Sequence, residues 1–251
     1  MTLEHFFQEN PSGALAFSGG TDSSYLVWAA KKYGTNWHAY FVKSAFQPEF
    51  ELDDARKIAQ ECGLPLTIIR LDVLSNDTVV ANPANRCYYC KQTVFSAILH
   101  QAKLDGLDLV IDGTNASDDV SDRPGMKALQ ELKVRSPLRE CGLTKSEVRG
   151  LAREAGLFVW NKPSYSCLAT RIPTGTALTA ELLEKAEHCE SLVASLGFQN
   201  FRIRLRGDLA LLQFTSDQFS YAFERRETIR ELLSPYCPIV ALDLLPRAKA
   251  N

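Results

Sequence analysis

Several features are missing from this chain of 251 residues, and each absence narrows what it can be. No apolar run approaches the roughly 20 residues that a membrane span requires. The opening residues, Met1-Thr2-Leu3-Glu4-His5, have no basic region and no apolar core of the secretory kind, so a cytoplasmic protein is expected. The four histidines, His5, His38, His100 and His188, are too widely spaced to suggest a histidine metal site. The net charge is only −2, which argues against a broad nucleic-acid surface but not against a local basic pocket. There is no internal repeat and no low-complexity segment. No Gly-x-x-x-x-Gly-Lys-Ser/Thr occurs, which excludes a Walker A phosphate loop.

What is present is a soluble globular composition, 45% hydrophobic and 23% charged, enough for one large domain or two smaller ones. The first 170 or so residues alternate apolar runs with helical patterns, the signature of a parallel α/β sheet with crossover helices. Residues 13–17 read as a buried strand, and Tyr25 to Ala30 as the first turns of a helix. Further strands are expected at 37–42, 66–71 and 109–111, and helices at 49–62, 91–104 and 144–155. Thr144-Lys145-Ser146-Glu147 is a capping box. Beyond residue 173 a second unit is expected: a helix over 179–196, a hairpin around Arg206-Gly207-Asp208, a helix over 217–233 and a strand at 239–244. The division expected from this pattern is 1–173 and 174–251.

The stretch between the first strand and helix is Phe17-Ser18-Gly19-Gly20-Thr21-Asp22-Ser23-Ser24. Strand, glycine turn and helix start together make an anion site. Free N–H groups point outward at a helix N-terminus, and the helix dipole favours negative charge there. Gly19 and Gly20 allow a tight turn and a close approach to phosphate. Ser18, Ser23 and Ser24 add hydroxyl donors. Asp22 is unexpected in an anion nest. It suits either a helix cap or a Mg²⁺ accompanying phosphates. The polar strand end Asp112-Gly113-Thr114-Asn115 falls where ligands sit in such sheets.

Seven cysteines in a cytoplasmic chain suggest thiols, metal or catalysis rather than a disulfide framework. Cys87-Tyr88-Tyr89-Cys90 sits before a predicted helix and could serve a redox dithiol, a zinc site or an iron–sulfur site. No second Cys-x-x-Cys completes a four-cysteine zinc site, and Cys167, in a predicted loop, is the third candidate. Three thiolates on a [4Fe–4S] cluster leave one iron open to carry sulfur. Cys62, Cys141, Cys189 and Cys237 read as small buried apolar residues. In the second unit Arg202, Arg204 and Arg206 alternate with Ile203 and Leu205, which puts three guanidinium groups on one strand face. Such a row can clamp a phosphate or carboxylate, or simply face solvent. Arg171 and Arg123 are further candidates for anion contacts.

Taken together, these motifs resemble the ATP-dependent sulfur transferases of nickel-pincer nucleotide biosynthesis, a branch of the pyrophosphate-loop (adenine nucleotide alpha hydrolase-like) superfamily. The resemblance runs from about residue 12 to 245. It rests on Ser18-Gly-Gly-Thr-Asp-Ser23, Asn85-Arg-Cys-Tyr-Tyr-Cys-Lys91, Asp112-Gly-Thr-Asn115, Arg123-Pro-Gly125, Ser136-Pro-Leu138, Ser166-Cys-Leu-Ala-Thr-Arg-Ile-Pro173, Arg202-Ile-Arg204 and Leu242-Asp-Leu244. It implies a parallel-sheet pyrophosphate-loop domain followed by a smaller α+β domain. It implies adenylation of a carboxylate of pyridinium-3,5-biscarboxylic acid mononucleotide by ATP with Mg²⁺, then displacement of AMP by sulfur. Ser18, Gly19, Gly20, Thr21, Asp22 and Ser23 would bind ATP, with Asp22 on Mg²⁺. Arg202 and Arg204 would grip the substrate's phosphate; Arg171, a candidate from the residues alone, is expected to be a further substrate contact.

Members with only the cysteine matching Cys167 sacrifice it. Members with three, matching Cys87, Cys90 and Cys167, are thought to carry the sulfur on a [4Fe–4S] cluster, loaded from sulfide or another donor. This chain has all three. The family also implies a homo-oligomer, while charge and hydropathy lead to the expectation of no nucleic-acid or membrane partner. Three departures stand out. Ser121-Asp122 replaces the usual Asp-Tyr before Arg123-Pro-Gly125. Gln213 replaces a glutamate, so any carboxylate role there is absent or supplied elsewhere. Leu245-Pro246-Arg247-Ala248-Lys249 replaces the usual tail. The competing readings are a tRNA thiolase, an ammonia-using amidating ligase and a non-enzymatic nucleotide- or cluster-binding protein.

Overall fold

The computed structural model describes residues 1–118 and 124–248. In chain order its main elements are α1 (Leu3–Glu9), β1 (Ser12–Ala16), α2 (Thr21–Tyr33), β2 (Asn36–Lys43), α3 (Glu49–Cys62), β3 (Leu66–Arg70), α4 (Asp77–Val80), α5 (Arg86–Leu104), β4 (Val110–Ile111), α6 (Pro124–Glu131), α7 (Pro137–Glu140), α8 (Lys145–Glu154), α9 (Ala180–Ser195), β5 (Arg202–Arg206), β6 (Leu209–Gln213), α10 (Phe219–Glu224), α11 (Arg226–Leu233) and β7 (Ile239–Leu242). They form two compact units. One contains Met1–Val73 and Ala84–Lys162, and the other contains Leu74–Pro83 and the chain from Pro163 onward. No helix among the described residues is long and apolar enough to cross a membrane.

The first unit is built on a four-stranded sheet of order β3-β2-β1-β4, and every neighbouring pair is parallel. The apolar runs are continuous because both faces are covered. Leu15, Ala39, Phe41 and Ile111 join the core formed with α1, α2, α3 and α8. Their neighbours in sequence, Ala14, Tyr40, Val42 and Val110, join the core formed with α5 and α6. This alternation is the two-residue period of a strand. The expected α/β class is therefore observed. The strand order reverses direction between β1 and β4, and ligands of such sheets bind beyond the carboxyl ends at that switch.

The second unit has a small mixed sheet. β5 and β6 form the expected antiparallel hairpin, turned at Gly207 with φ of 59°, and β7 runs parallel beside β6. Residues 74–83 belong to this unit because Asn82 anchors them there. Its side-chain amide donates to the carbonyls of Pro173 (2.8 Å) and Thr176 (3.2 Å), and its own carbonyl accepts from Gly175 N. Compactness thus divides the chain after Lys162, where the sequence pattern suggested residue 173.

Three elements differ from expectation. α5 starts at Arg86 rather than Lys91, so Cys87 and Cys90 lie in its first turn and not before it. The helix expected over 217–233 is split at Arg225, which caps both α10 and α11. The short α1, capped by Thr2, was not anticipated at all. The capping box at α8 is observed with both of its reciprocal bonds.

Candidate active site

The turn after β1 and the loop after β4 meet at the switch point. Gly19 has φ of +73°, and a side chain there would come within 2.6 Å of the Glu51 carbonyl. Only glycine fits both constraints. Gly20 is the N-cap of α2 and makes no side-chain cap bond, so the first-turn N–H groups are not taken by a cap. Ser23 stiffens the turn. Its Oγ accepts from Ser18 N (3.3 Å), lies 3.0 Å from Ser18 Oγ and donates to the Gly20 carbonyl (3.2 Å). Thr21 Oγ1 donates to the Val159 carbonyl at 2.7 Å and holds the start of α2 in place. Gly113 packs against this same turn: a Cβ there would meet Ser23 N at 3.0 Å.

Asp22 points into the unit rather than away from it. Its Oδ2 accepts from Lys145 Nζ at 2.5 Å. Its Oδ1 is buried and has no hydrogen-bond partner. Burial raises the carboxyl above the usual aspartate range, and Lys145 pulls the other way. A buried carboxylate oxygen without a donor suits a hard cation such as Mg²⁺. Lys145 was missed as a site residue, because Thr144-Lys145-Ser146-Glu147 reads fully as a capping box. One signal was available: a lysine in the first turn of a helix opposes the dipole and calls for another reason to be there.

The β4 loop is fixed by its own side chains. Asp112 Oδ1 accepts from Ser136 Oγ (2.6 Å) and Oδ2 from Thr114 Oγ1 (2.5 Å). Asn115 Oδ1 accepts from Ser117 N, and Ser117 Oγ accepts from Lys145 N at 3.0 Å. The last of these bonds ties the loop after β4 to the start of α8.

Cys87 and Cys90 stand three residues apart on one face of the first turn of α5, Cys87 exposed and Cys90 half-buried. Two thiols at this spacing could serve one metal centre. Cys167 belongs to the other unit and is half-buried. Among the described residues no group of three or more His, Cys, Asp or Glu side chains is gathered closely enough to hold a metal ion. Cys87 and Cys90 are thus two of the three thiols that a cluster would need, both of them in the first unit. Of the remaining cysteines, Cys189 and Cys237 are buried as expected, while Cys62 and Cys141 are only half-buried.

In the second unit Arg171 is fully buried and ion-paired with Glu190 through two bonds, Nε to Oε1 at 2.7 Å and Nη2 to Oε2 at 2.9 Å. Burial opposes its charge, but Glu190 outweighs burial and holds the guanidinium above its usual range. Its Nη1 donates to the Ser166 carbonyl, to Ser166 Oγ and to Thr170 Oγ1, all within 2.9 Å. Arg171 thus clamps the loop that carries Cys167. Arg202 is 4% exposed and donates only to carbonyls, those of Phe201 and Ser164, both at 2.7 Å. Burial, with Arg171 and Arg247 adding repulsion, lowers it to about 10. Arg204 Nε donates to Gln213 Oε1 (3.0 Å) and Nη1 to the Thr170 carbonyl. Gln213 in turn donates to Asp243 Oδ2 at 2.7 Å, so a carboxylate is hydrogen-bonded to the amide that contacts Arg204. Arg206 is exposed, and Arg123 lies outside the described residues.

A parallel sheet with a serine- and glycine-rich anion turn at its switch point defines a pyrophosphate-loop enzyme. Comparison with known proteins narrows this. The chain is 34% identical to the pyridinium-3,5-bisthiocarboxylic acid mononucleotide synthase of Lactiplantibacillus plantarum over 233 residues, 92% of this chain and 84% of that one. It is also 34% identical to an uncharacterized protein of Synechocystis over 93% of this chain and 87% of the relative. A tRNA-specific 2-thiouridylase of Clostridium botulinum is 25% identical over 59% of this chain and 51% of its own length. No family model matches the chain. The chain belongs to the family of the pyridinium-3,5-bisthiocarboxylic acid mononucleotide synthase, ATP-dependent sulfur transferases.

Proposed function

We propose that this enzyme adenylates a carboxylate of pyridinium-3,5-biscarboxylic acid mononucleotide and then replaces AMP with sulfur, giving a thiocarboxylate. One observation carries the reading: in a chain of this family, the open N-terminal turn of α2 lies at the β1/β4 switch with a buried, unpartnered Asp22 Oδ1 beside it. A carboxylate is a poor electrophile, and an acyl adenylate gives it a good leaving group. In the first step a carboxylate oxygen attacks the α-phosphorus of ATP, and the bond to the β-phosphate oxygen breaks. The backbone N–H groups of the Ser18–Ser23 turn and the serine hydroxyls stabilise the charge of the departing pyrophosphate. Asp22 would hold Mg²⁺, which offsets phosphate charge when bound.

In the second step sulfur attacks the acyl carbon and the bond to AMP breaks. Cys87, Cys90 and Cys167 would hold a [4Fe–4S] cluster, which would supply the sulfur when bound. Arg202 and Arg204 grip the substrate's phosphate through charge-assisted bonds. Arg171 acts on substrate indirectly, by fixing the Cys167 loop. Sulfide or another donor reloads the enzyme, which works as a homo-oligomer in the cytoplasm.

Pyrophosphate release from ATP tests the proposal. Release that depends on the biscarboxylic mononucleotide, with AMP as co-product, is expected. Release that instead depends on tRNA, or ADP as the product, would overturn it.

A further inference from the structure

The acid of the anion turn already has a cation of its own. Lys145 Nζ donates to Asp22 Oδ2 at 2.5 Å, and each of the two side chains is only 20% exposed. The other oxygen, Oδ1, is buried and makes no hydrogen bond. Burial is the strongest influence on this carboxyl and opposes its charge. Lys145 favours the charge, the Asp118 carboxylate opposes it and the Asn115 side chain favours it. Asp118 adds to the negative charge on this side of the turn, its Oδ2 accepting from Asn115 N at 3.1 Å.

Two features make the lysine exchangeable. It stands in the first turn of α8, where the helix dipole and the outward N–H groups disfavour a positive charge. Its backbone N–H is tied to Ser117 Oγ at 3.0 Å, while its ammonium reaches Asp22 on a flexible four-carbon stem. The ammonium can therefore leave Oδ2 with no movement of the helix. A divalent ion on Oδ1 and an ammonium on Oδ2 would share one carboxyl group. Like charges that close repel strongly at a site largely screened from water. The two cations therefore compete for Asp22.

We infer that Lys145 is a built-in counter-ion that occupies Asp22 until a divalent cation displaces it, so that the lysine regulates how readily the turn takes up metal. The inference rests on the reading that Asp22 holds Mg²⁺. A nucleotide brings negative charge along with the cation, and the released ammonium then has phosphate oxygens to face. Metal without nucleotide leaves it no such anion. Lys145 thus discourages uptake of bare metal and ties metal to nucleotide.

Mn²⁺ is the probe, since it takes the same hard oxygen ligands as Mg²⁺ and its free form is counted by EPR. Nucleotide-free Lys145→Met should bind Mn²⁺ about tenfold or more tightly than the unaltered enzyme, the size of one lost charged hydrogen bond. Adding Asp22→Asn to that variant should abolish the gain. Lys145→Arg keeps the positive charge and should stay near the unaltered affinity. A lysine that merely braces Asp22 would give the opposite shift, because a loosened carboxylate binds metal less well.

If Lys145→Met binds Mn²⁺ no more tightly than the unaltered enzyme, or less tightly, the inference fails. Asp22 then keeps its metal role if Asp22→Asn raises the Mg²⁺ concentration needed for pyrophosphate release, and loses it if that requirement is unchanged. A gain that survives Asp22→Asn puts the metal elsewhere and overturns both. Should Lys145→Met not fold, Lys145→Gln carries the same outcomes.

Discussion

Lys145 Nζ stands 2.5 Å from Asp22 Oδ2, and each side chain is only 20% exposed. The pair joins the first turn of α8 to the first turn of α2, so a residue 123 positions away sets the aim of the turn's one acid. A hydrogen bond to a charged group contributes about 1.5–3 kcal/mol, or roughly 10–100-fold in an equilibrium. Lys145→Met should therefore lower kcat/KM for pyrophosphate release by about that factor, and Lys145→Arg should recover part of it. If Lys145→Met releases pyrophosphate at the normal rate, the pair is scaffolding and Asp22 needs no outside support.

Two adjacent glycines should respond in opposite ways. At Gly19 the backbone has φ of +73° and a methyl group would sit 2.6 Å from the Glu51 carbonyl. Positive φ costs a non-glycine residue of order 1–3 kcal/mol before any clash is counted. Gly20 has φ of −80°, and its nearest obstacle is Ser18 Oγ at 3.4 Å. Urea unfolding should show Gly19→Ala destabilised by about 2 kcal/mol or more, and Gly20→Ala within about 1 kcal/mol of the parent. Equal losses at the two positions would contradict the turn geometry.

Much of the first unit was legible because its signals are local. The apolar runs at 13–17 and 37–42 give β1 and β2, and Ser18 to Ser24 give the anion turn that follows. The Asn82 anchor was not legible: its amide reaches Pro173 and Thr176 across some 90 residues, and no periodicity reports such a tie. The start of α5 was placed five residues late because Cys87-Tyr88-Tyr89-Cys90 was set before the helix as a motif, while the chain folds it into the first turn. Lys145 was hidden by a capping box that already explained its neighbourhood. The arginine row was visible as a two-residue alternation, yet its meaning was not. Solvent exposure holds only for Arg206, while Arg202 is buried and Arg171 has become the keystone of the cysteine loop.

That keystone makes a stability prediction. Breaking a buried ion pair by removing one charge leaves the other unpaired and costs about 3–5 kcal/mol. Glu190→Gln preserves shape but removes the charge that Arg171 needs, so urea unfolding should show a loss of that size. Tyr165→Phe removes one neutral donor to Glu190 and should cost about 1 kcal/mol. If Glu190→Gln costs no more than Tyr165→Phe, the Arg171 charge is not stabilised by Glu190.

The thiols should separate by reactivity. Burial, with Glu61 adding to it, pushes the Cys62 thiol up to about 11, and burial beside Cys237 pushes Cys189 up to about 12. The thiolate is the reactive form, and raising the pKa moves its appearance to higher pH. At pH 8 only about one part in a thousand of Cys62 would be ionised. Cys87 is exposed, so iodoacetamide followed by mass mapping should find it modified first at pH 8 in metal-free protein. Cys62 should react only as the pH approaches 11, and Cys189 later still.

The same mapping examines the cluster without relying on activity. In protein purified anaerobically with iron and sulfide bound, Cys87, Cys90 and Cys167 should all be protected, and chelation of the iron should expose them together. Protection of Cys87 and Cys90 alone would point to a two-thiolate site that excludes Cys167. Full alkylation of Cys87 in iron-loaded protein would remove it from the ligand set and, with it, the catalytic route of sulfur delivery.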